Sequence, residues 1–284
     1  MREFIKTTAD RLAKVYPDQE AVQMAYLIAE EIFGMRKTHI IAGASRPENA
    51  GLINKAEQAI GRLLAGEPIQ YIFGKAWFYG REFKCSPSAL IPRPETEELI
   101  QLIKEKAGNR PGLKILDAGT GTGCIALTLA LELNKPEVYA IDISKLALAL
   151  ALDNAETLNA PVNFLQQDIL SAELGLGIPG PDIIVSNPPY VTENEKTEMR
   201  GNVLEHEPHL ALFVSNGHPL VFYEALCRYA VERLKPGGML FFEINESQGS
   251  EMKQLLENSG FINVEIFKDI HARNRMTFAE KPLE

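Results

Sequence analysis

The sequence predicts an α/β fold, a seven-stranded and mostly parallel sheet with helices on both faces, preceded by a small helical domain. Three observations carry this. From Glu95 onward, short apolar segments alternate with amphipathic ones, the pattern of parallel strands joined by crossover helices. Up to about residue 66, apolar residues recur at helical spacing. Between these regions lies an aromatic and β-branched stretch punctuated by Gly74 and Gly80, which reads as short strands joined by turns. The expected organisation is a helical domain over 1–66, a β-hairpin linker over 67–90 and an α/β domain over 91–284.

Taken in order, Val22, Tyr26, Ile28, Ala29, Ile32 and Phe33 mark one helix of the first domain. Ile53, Ala56, Ile60, Leu63 and Leu64 mark another, ending before Gly66. In the linker, Trp77, Phe78 and Tyr79 are expected to form the hairpin core, with a ligand stack as the alternative. The sheet strands are expected at 114–118, 138–142, 162–166, 182–186, 239–244, 264–269 and 276–280. Helices are expected at 95–107, 123–133, 145–158, 219–233 and 248–258. The segment between the last two strands is too short for a crossover helix, so that pair should be antiparallel.

Composition limits the function. With 45% hydrophobic residues the chain can bury a real core, which excludes disorder as its main state. Residues 1–75 carry a net charge of +1 and residues 76–284 carry −10. Affinity for a phosphate backbone needs clustered basic charge, so direct nucleic-acid binding is not expected. Cys85, Cys124 and Cys227 are odd in number and lack C-x-x-C spacing, suggesting neither a disulfide framework nor a thiolate metal site. No apolar run approaches the ~18 residues of a membrane span. A soluble, unprocessed, cytoplasmic monomer is expected.

Two motifs carry chemistry. ILDAGTGTG places Gly119, Gly121 and Gly123 between a strand and a helix, where backbone amides can approach an anionic or polar ligand. The dinucleotide pattern G-x-G-x-x-G would need glycine at Cys124, which disfavours a nicotinamide cofactor. Asp142 ends the next strand 19 positions after Gly123, near the ~20-residue offset at which a carboxylate meets ribose hydroxyls. A nucleoside-containing cofactor fits both. Tight packing of the turn, and a helix-capping role for Asp142 in competition with Ser144, are the plainer alternatives.

The second motif is Asn187-Pro188-Pro189-Tyr190, directly after the fourth sheet strand. Two prolines remove backbone donors and stiffen the chain as it leaves the sheet. A planar NH₂ group can then donate one hydrogen to the Asn187 side-chain oxygen and the other to the Pro188 carbonyl, while Tyr190 stacks on the substrate.

ILDAGTGTG, AIDIS and SNPPY in this order resemble a class I, Rossmann-like methyltransferase that uses S-adenosyl-L-methionine and acts on an NH₂ nitrogen. GEPIQYIFG (66–74), FYGREF (78–83), LIPRPETEEL (90–99), EHEPHLAL (205–212) and GGMLFFEINESQG (237–249) extend the likeness over essentially the whole chain to the HemK/PrmC family. That family methylates the glutamine of the Gly-Gly-Gln tripeptide in peptide-chain release factors, a step linked to translation termination. The resemblance implies a protein-glutamine methyltransferase that releases S-adenosyl-L-homocysteine, requires no metal and has release factors as protein substrates.

By position, the resemblance puts the cofactor loop on Gly119, Thr120, Gly121, Thr122 and Gly123, and the ribose carboxylate on Asp142. It puts the adenine neighbours on Asp168 and Ile169, and the substrate clamp on Asn187, Pro188, Pro189 and Tyr190, with Asn187 also beside the cofactor. Ile169 departs from the aromatic residue of some members, and EIN at 243–245 departs from the more usual EIG or EHG. A ribosomal-protein glutamine methyltransferase, or a nucleic-acid amino-group methyltransferase acting on a flipped base, is the alternative. The first domain, near neutral and without a cofactor motif, is expected to recognise the protein substrate.

Other constellations read as structural. His206-Glu207-Pro208-His209 falls one residue short of H-E-x-x-H and is broken by Pro208. Arg93 precedes a helix entered through Pro94, with a place over the cofactor as the alternative. Asp117 is expected to order the glycine loop rather than act as an acid.

Overall fold

The computed structural model describes residues 1–45, 49–199 and 201–284, so Arg46, Pro47 and Glu48 of the expected helical region lie outside the described residues. The chain divides into two compact units, Met1–Gly74 with Arg200–His206, and Lys75–Met199 with Glu207–Glu284.

The first unit contains α1 (Arg2–Leu12), α2 (Asp18–Phe33), α3 (Lys37–Ile41), α4 (Ala50–Leu64) and α5 (Ile69–Phe73). Ile5, Ala9 and Leu12 of α1 and Ala56, Ala59, Ile60 and Leu63 of α4 are buried at helical spacing, so each helix turns one apolar stripe inward. Asn49 caps α4 by accepting from the Gly51 and Leu52 amides. The Tyr16 hydroxyl donates to the Leu63 carbonyl at 2.9 Å. The sequence predicts strand for IQYIF; the structure makes it helix α5. Pro68 before it and left-handed Gly74 after it are helix punctuation, which overrides a strand preference that depends on context.

The second unit opens with a hairpin, β1 (Lys75–Phe78) and β2 (Arg81–Lys84), turned by Tyr79 and Gly80, both at positive φ. Period-two alternation buries Phe78 and Phe83 but leaves Trp77 68% exposed. Trp77 is therefore not hairpin core, contrary to the sequence reading.

There follow α6 (Pro94–Ala107), β3 (Lys114–Ala118), α7 (Cys124–Glu132), β4 (Glu137–Asp142), α8 (Lys145–Leu158), β5 (Val162–Gln166), β6 (Ile183–Ser186) and the two-residue β7 (Val191–Thr192). Helix α9 (Gly201–His206) belongs to the first unit. The second unit resumes with β8 (Phe213–Val214), α10 (Val221–Arg233), β9 (Met239–Glu243), α11 (Gly249–Asn258), β10 (Ile262–Lys268) and β11 (Asn274–Glu280).

The seven-stranded sheet has the order β10-β11-β9-β6-β3-β4-β5. Strands β9, β6, β3, β4 and β5 are parallel, and β11 is antiparallel to both of its neighbours. Alternation along the strands divides the core. Ile115, Ile183 and Phe241 face α6, α7 and the hairpin phenylalanines, whereas Leu116, Ile184 and Phe242 face α10 and α11. The strand after β3 lies on one side of it and β6 on the other, so the order reverses at β3. Open α/β sheets bind ligands beyond the carboxyl ends of the strands at such a point. The glycine loop leaves β3 there and Asn187 leaves β6. The Ser186 hydroxyl donates to the Ala118 carbonyl at 2.5 Å, locking the two strand ends together.

Candidate active site

Beyond those strand ends lies a cavity of about 260 Å³. The glycine loop forms one wall, with Gly119, Gly121 and Gly123 all in the left-handed region that only glycine enters at little cost. Their roles differ. A Cβ on Gly119 would meet only Ile169 at 3.7 Å, and one on Gly121 only Ala89 at 3.9 Å, so both leave room for a ligand. A Cβ on Gly123 would lie 3.1 Å from Leu127 and 3.2 Å from Ala151. Gly123 thus serves the packing of α7 on α8, and it is absent from the cavity lining that includes Gly119, Thr120, Gly121 and Thr122. Asn154, buried on α8, ties the loop to the hairpin by donating to the Thr122 and Lys84 carbonyls and accepting from the Lys84 amide.

Asp142 lines the cavity. Its Oδ2 accepts from the Gly121 amide and its Oδ1 from the Ser144 amide, each at 2.9 Å. Burial pushes its carboxyl above the usual range, against the pull of these amides. Ser144 caps α8 by accepting from the Ala147 amide, which leaves Asp142 free for a ligand. An ionised carboxylate has about four lone-pair sites and only accepts, so beyond the amides of Gly121, Ser144 and Ile143 Asp142 keeps acceptor capacity for a donating ribose hydroxyl. Asp168 and Ile169 also line the cavity; Asp168 Oδ1 accepts from the Leu170 amide at 2.8 Å, and Ile169 is 8% exposed. Glycines that leave space, a carboxylate at the second strand and an apolar wall fit an S-adenosylmethionine-sized nucleoside.

Beneath the loop, Asp117 is fully buried. Its Oδ2 accepts from the Thr120 hydroxyl at 2.6 Å and the Ala126 amide at 3.2 Å, as expected of a residue that orders the loop. Burial pushes its carboxyl up to about 7. An unfolded Asp ionises at about 3.9, so between these values the folded state holds a proton that the unfolded state has lost. Stability from this group is full below about pH 4 and declines as pH rises to about 7. Urea unfolding of Asp117→Asn and wild type at pH 4.5 and pH 8 checks this: the variant should gain on the wild type at the higher pH, and a constant difference would refute it.

The roof is the segment before α6. Arg93 lines the cavity and donates to Glu207 Oε1 at 2.5 Å, while Glu207 Oε2 accepts from the Ile91 amide at 3.3 Å. Arg93 thus both precedes the helix and stands over the site, and the buried Glu207 carboxylate is committed to this closure.

Asn187 and Pro189 line the cavity, whereas Pro188 and Tyr190 are not among its lining residues. The Asn187 amide nitrogen donates to Thr96 Oγ1 at 3.4 Å. Thr96 Oγ1 donates to Glu243 Oε2 at 2.6 Å, and the Tyr190 hydroxyl donates to Glu243 Oε1 at 3.2 Å. Glu243 is 1% exposed; burial raises its carboxyl, and Thr96, Arg275 and Tyr190 oppose that. The same burial raises the Tyr190 phenol, which keeps it a neutral donor. No local pattern in the sequence points to a role for Thr96 or Glu243, apart from a carboxylate ending the apolar run Met239-Leu240-Phe241-Phe242, since an acid at the end of a buried strand needs a partner.

Comparison with known proteins agrees with this geometry. The family profile described as Methyltransferase small domain matches residues 94–212, and that described as PrmC N-terminal domain matches residues 3–74. The chain is 45% identical to the release factor glutamine methyltransferase of Bacteroides thetaiotaomicron, over 95% of this chain and 96% of that one. It is 37% identical to the protein of that name from Bacillus subtilis, over 96% and 95%. Among solved structures, a methyltransferase from Pyrococcus furiosus aligns with a TM-score of 0.54 at 18% identity, covering 80% of this chain and 99% of that chain. That likeness concerns the fold, a class I methyltransferase sheet.

Proposed function

The chain belongs to the family of release factor glutamine methyltransferases, and on that premise we propose that it methylates the side-chain amide nitrogen of the Gly-Gly-Gln glutamine in peptide-chain release factors. The observation that carries the chemistry is Asn187. It stands at the carboxyl end of β6 on the cavity wall, with its NH₂ committed to Thr96. Among the described residues no protein group donates to its Oδ1, which is left to accept from a substrate amide.

Gly119, Gly121, Asp142, Asp168 and Ile169 would hold S-adenosylmethionine, the hydroxyls of its ribose on Asp142. When bound, it supplies an electrophilic methyl group. The chain's own residues address the weak partner, an amide nitrogen whose lone pair is delocalised into its carbonyl. Asn187 Oδ1 accepts one N–H, orients the nitrogen and stabilises the positive charge that grows on it; orientation alone can contribute ~7–11 kcal/mol. Arg93 and Glu207 close the roof and help exclude water. Pro188 and Pro189 keep Asn187 from drifting, because both fix φ. The helical unit is proposed to recognise the release factor, and the enzyme is proposed to act as a cytoplasmic monomer on protein rather than nucleic acid. The acidic balance of residues 76–284 supports the last point. Among the described residues no helix is long and apolar enough to cross a membrane.

Incubation with methyl-labelled S-adenosylmethionine and a release factor, a ribosomal protein or RNA tests the reading. Label should enter the Gly-Gly-Gln glutamine; labelling of RNA alone overturns it. A chain beginning at Lys75 should still bind S-adenosylmethionine by calorimetry but methylate a release factor at least ~10-fold more slowly, a transition-state loss of ~1.4 kcal/mol or more. Kinetics equal to those of the intact chain reject a recognition role for the helical unit.

A further inference from the structure

An asparagine amide has an acceptor on one side and donors on the other, nearly equal in shape. Only one orientation presents the acceptor to a substrate NH₂. The Thr96 hydroxyl has a single hydrogen, and at 2.6 Å it is given to Glu243 Oε2. Each Glu243 oxygen accepts from a hydroxyl, Thr96 on one and Tyr190 on the other, and with Arg275 these favour the charged form against burial; an ionised carboxylate can only accept, so this bond has one direction. Lone pairs then remain on Thr96 Oγ1, and they select the NH₂ side of Asn187, 3.4 Å away. The other carboxylate oxygen is held by the Tyr190 hydroxyl, and the Tyr223 hydroxyl donates to the Glu243 carbonyl at 2.9 Å. Thr96 and Glu243 are 2% and 1% exposed, so bulk water does not compete for these bonds.

Resting on the reading that Asn187 receives the substrate amide, we infer that Glu243, acting through Thr96, is a positioning residue that fixes which end of the Asn187 amide faces the cavity. A neutral amide at 243 could donate to Thr96 as readily as accept from it. The Thr96 hydrogen would then be free to turn toward Asn187 and invert its amide, presenting a donor to the substrate's donors. A carboxylate serves here because it cannot reverse.

Glu243→Gln and Thr96→Val should each lower kcat by ~10- to 100-fold, the scale of a misplaced reacting group. KM for a release factor should stay within a few-fold and S-adenosylmethionine affinity should hold by calorimetry. Thr96→Ser, which keeps the hydroxyl, should restore most of what Thr96→Val loses. In an Asn187→Ala background, Glu243→Gln should add less than ~2-fold, because residues acting as one unit are not additive. A full additive loss, or a Thr96→Ser variant as slow as Thr96→Val, overturns the relay. A second readout does not depend on turnover. The side-chain NH₂ resonances of Asn187, identified by their loss in Asn187→Ala, should move in Glu243→Gln and Thr96→Val and stay near wild type in Thr96→Ser. Unmoved resonances in Glu243→Gln reject the relay even if methylation is intact; a wild type that binds S-adenosylmethionine but methylates no release factor rejects the functional reading instead.

Discussion

Asn187→Ala is expected to lower kcat by ~10²–10³ while leaving KM for a release factor within a few-fold. A whole protein substrate binds through a broad surface, so one cavity residue contributes little to docking. The positive charge that develops on the amide nitrogen makes the bond to Asn187 Oδ1 strengthen during transfer, so its loss falls on the transition state. The truncation should leave the scaffold intact. The strand end is held independently by the Ser186 bond to Ala118, and among the described residues the side-chain partner of Asn187 is Thr96 alone. Asn187→Asp is the sharper variant. It keeps an acceptor toward the cavity but turns a second oxygen toward the lone pairs of Thr96, whose only hydrogen is held by Glu243. That contact repels, so the side chain should rotate and misplace the substrate even with S-adenosylmethionine bound. Single-turnover methylation of a release factor distinguishes these steps, and wild-type rates in both variants would mean that the Asn-Pro-Pro-Tyr segment is not the catalytic element.

What was legible in the sequence follows the distance over which each feature is specified. The sheet strands and their helices were readable because burial on both faces imposes runs and periods within ten or fifteen residues, and the last hairpin because its connection is short. Gly119, Gly121, Asp142 and Asn187 were readable because each directly follows, or ends, a parallel strand, so local order alone places them at one edge of the sheet. Thr96 and Glu243 were not, because their bond spans 147 positions and the Thr96 bond to Asn187 spans 91. Such contacts depend on strand order, which no local period encodes. The Arg93 bond to Glu207, 114 positions apart, is of the same kind. Trp77 and α5 depart from the sequence expectation for the opposite reason. Local residue preference pointed to a strand core, but strand alternation turned Trp77 outward, and Pro68 with Gly74 closed a single helical turn around an aromatic run. Gly123 shows a third limit: three glycines look alike in sequence, and only the proximity of Leu127 and Ala151 assigns one of them to packing.

Asp142→Ala is expected to weaken S-adenosylmethionine binding by ~10- to 100-fold, corresponding to ~1.5–3 kcal/mol for charge-assisted hydrogen bonds. Burial holds the Asp142 carboxyl above its usual range, a cost the fold carries for a group that lines the cavity. The same change releases the Gly121 and Ser144 amides, so part of the loss reflects a loosened loop. Asp142→Asn separates the two contributions. It keeps one acceptor for an amide but loses the charge, and should fall between wild type and alanine. Gly121→Val tests the opposite wall. At φ +56 a valine is strained, and its side chain enters open space in which the first protein atom met by a Cβ is on Ala89 at 3.9 Å. On the proposed reading that space holds S-adenosylmethionine, so binding should drop as steeply as in Asp142→Ala. Because the ionised form of Asp142 is the better acceptor, affinity in the wild type should also weaken as pH falls through its raised pKa, and Asp142→Asn should lose that dependence. Calorimetry across pH measures all of these together. Unchanged affinity in Asp142→Ala and Gly121→Val would remove the cofactor from this cavity, and a pH dependence that persists in Asp142→Asn would assign it to a different group, such as Asp117, held up to about 7 beneath the same loop.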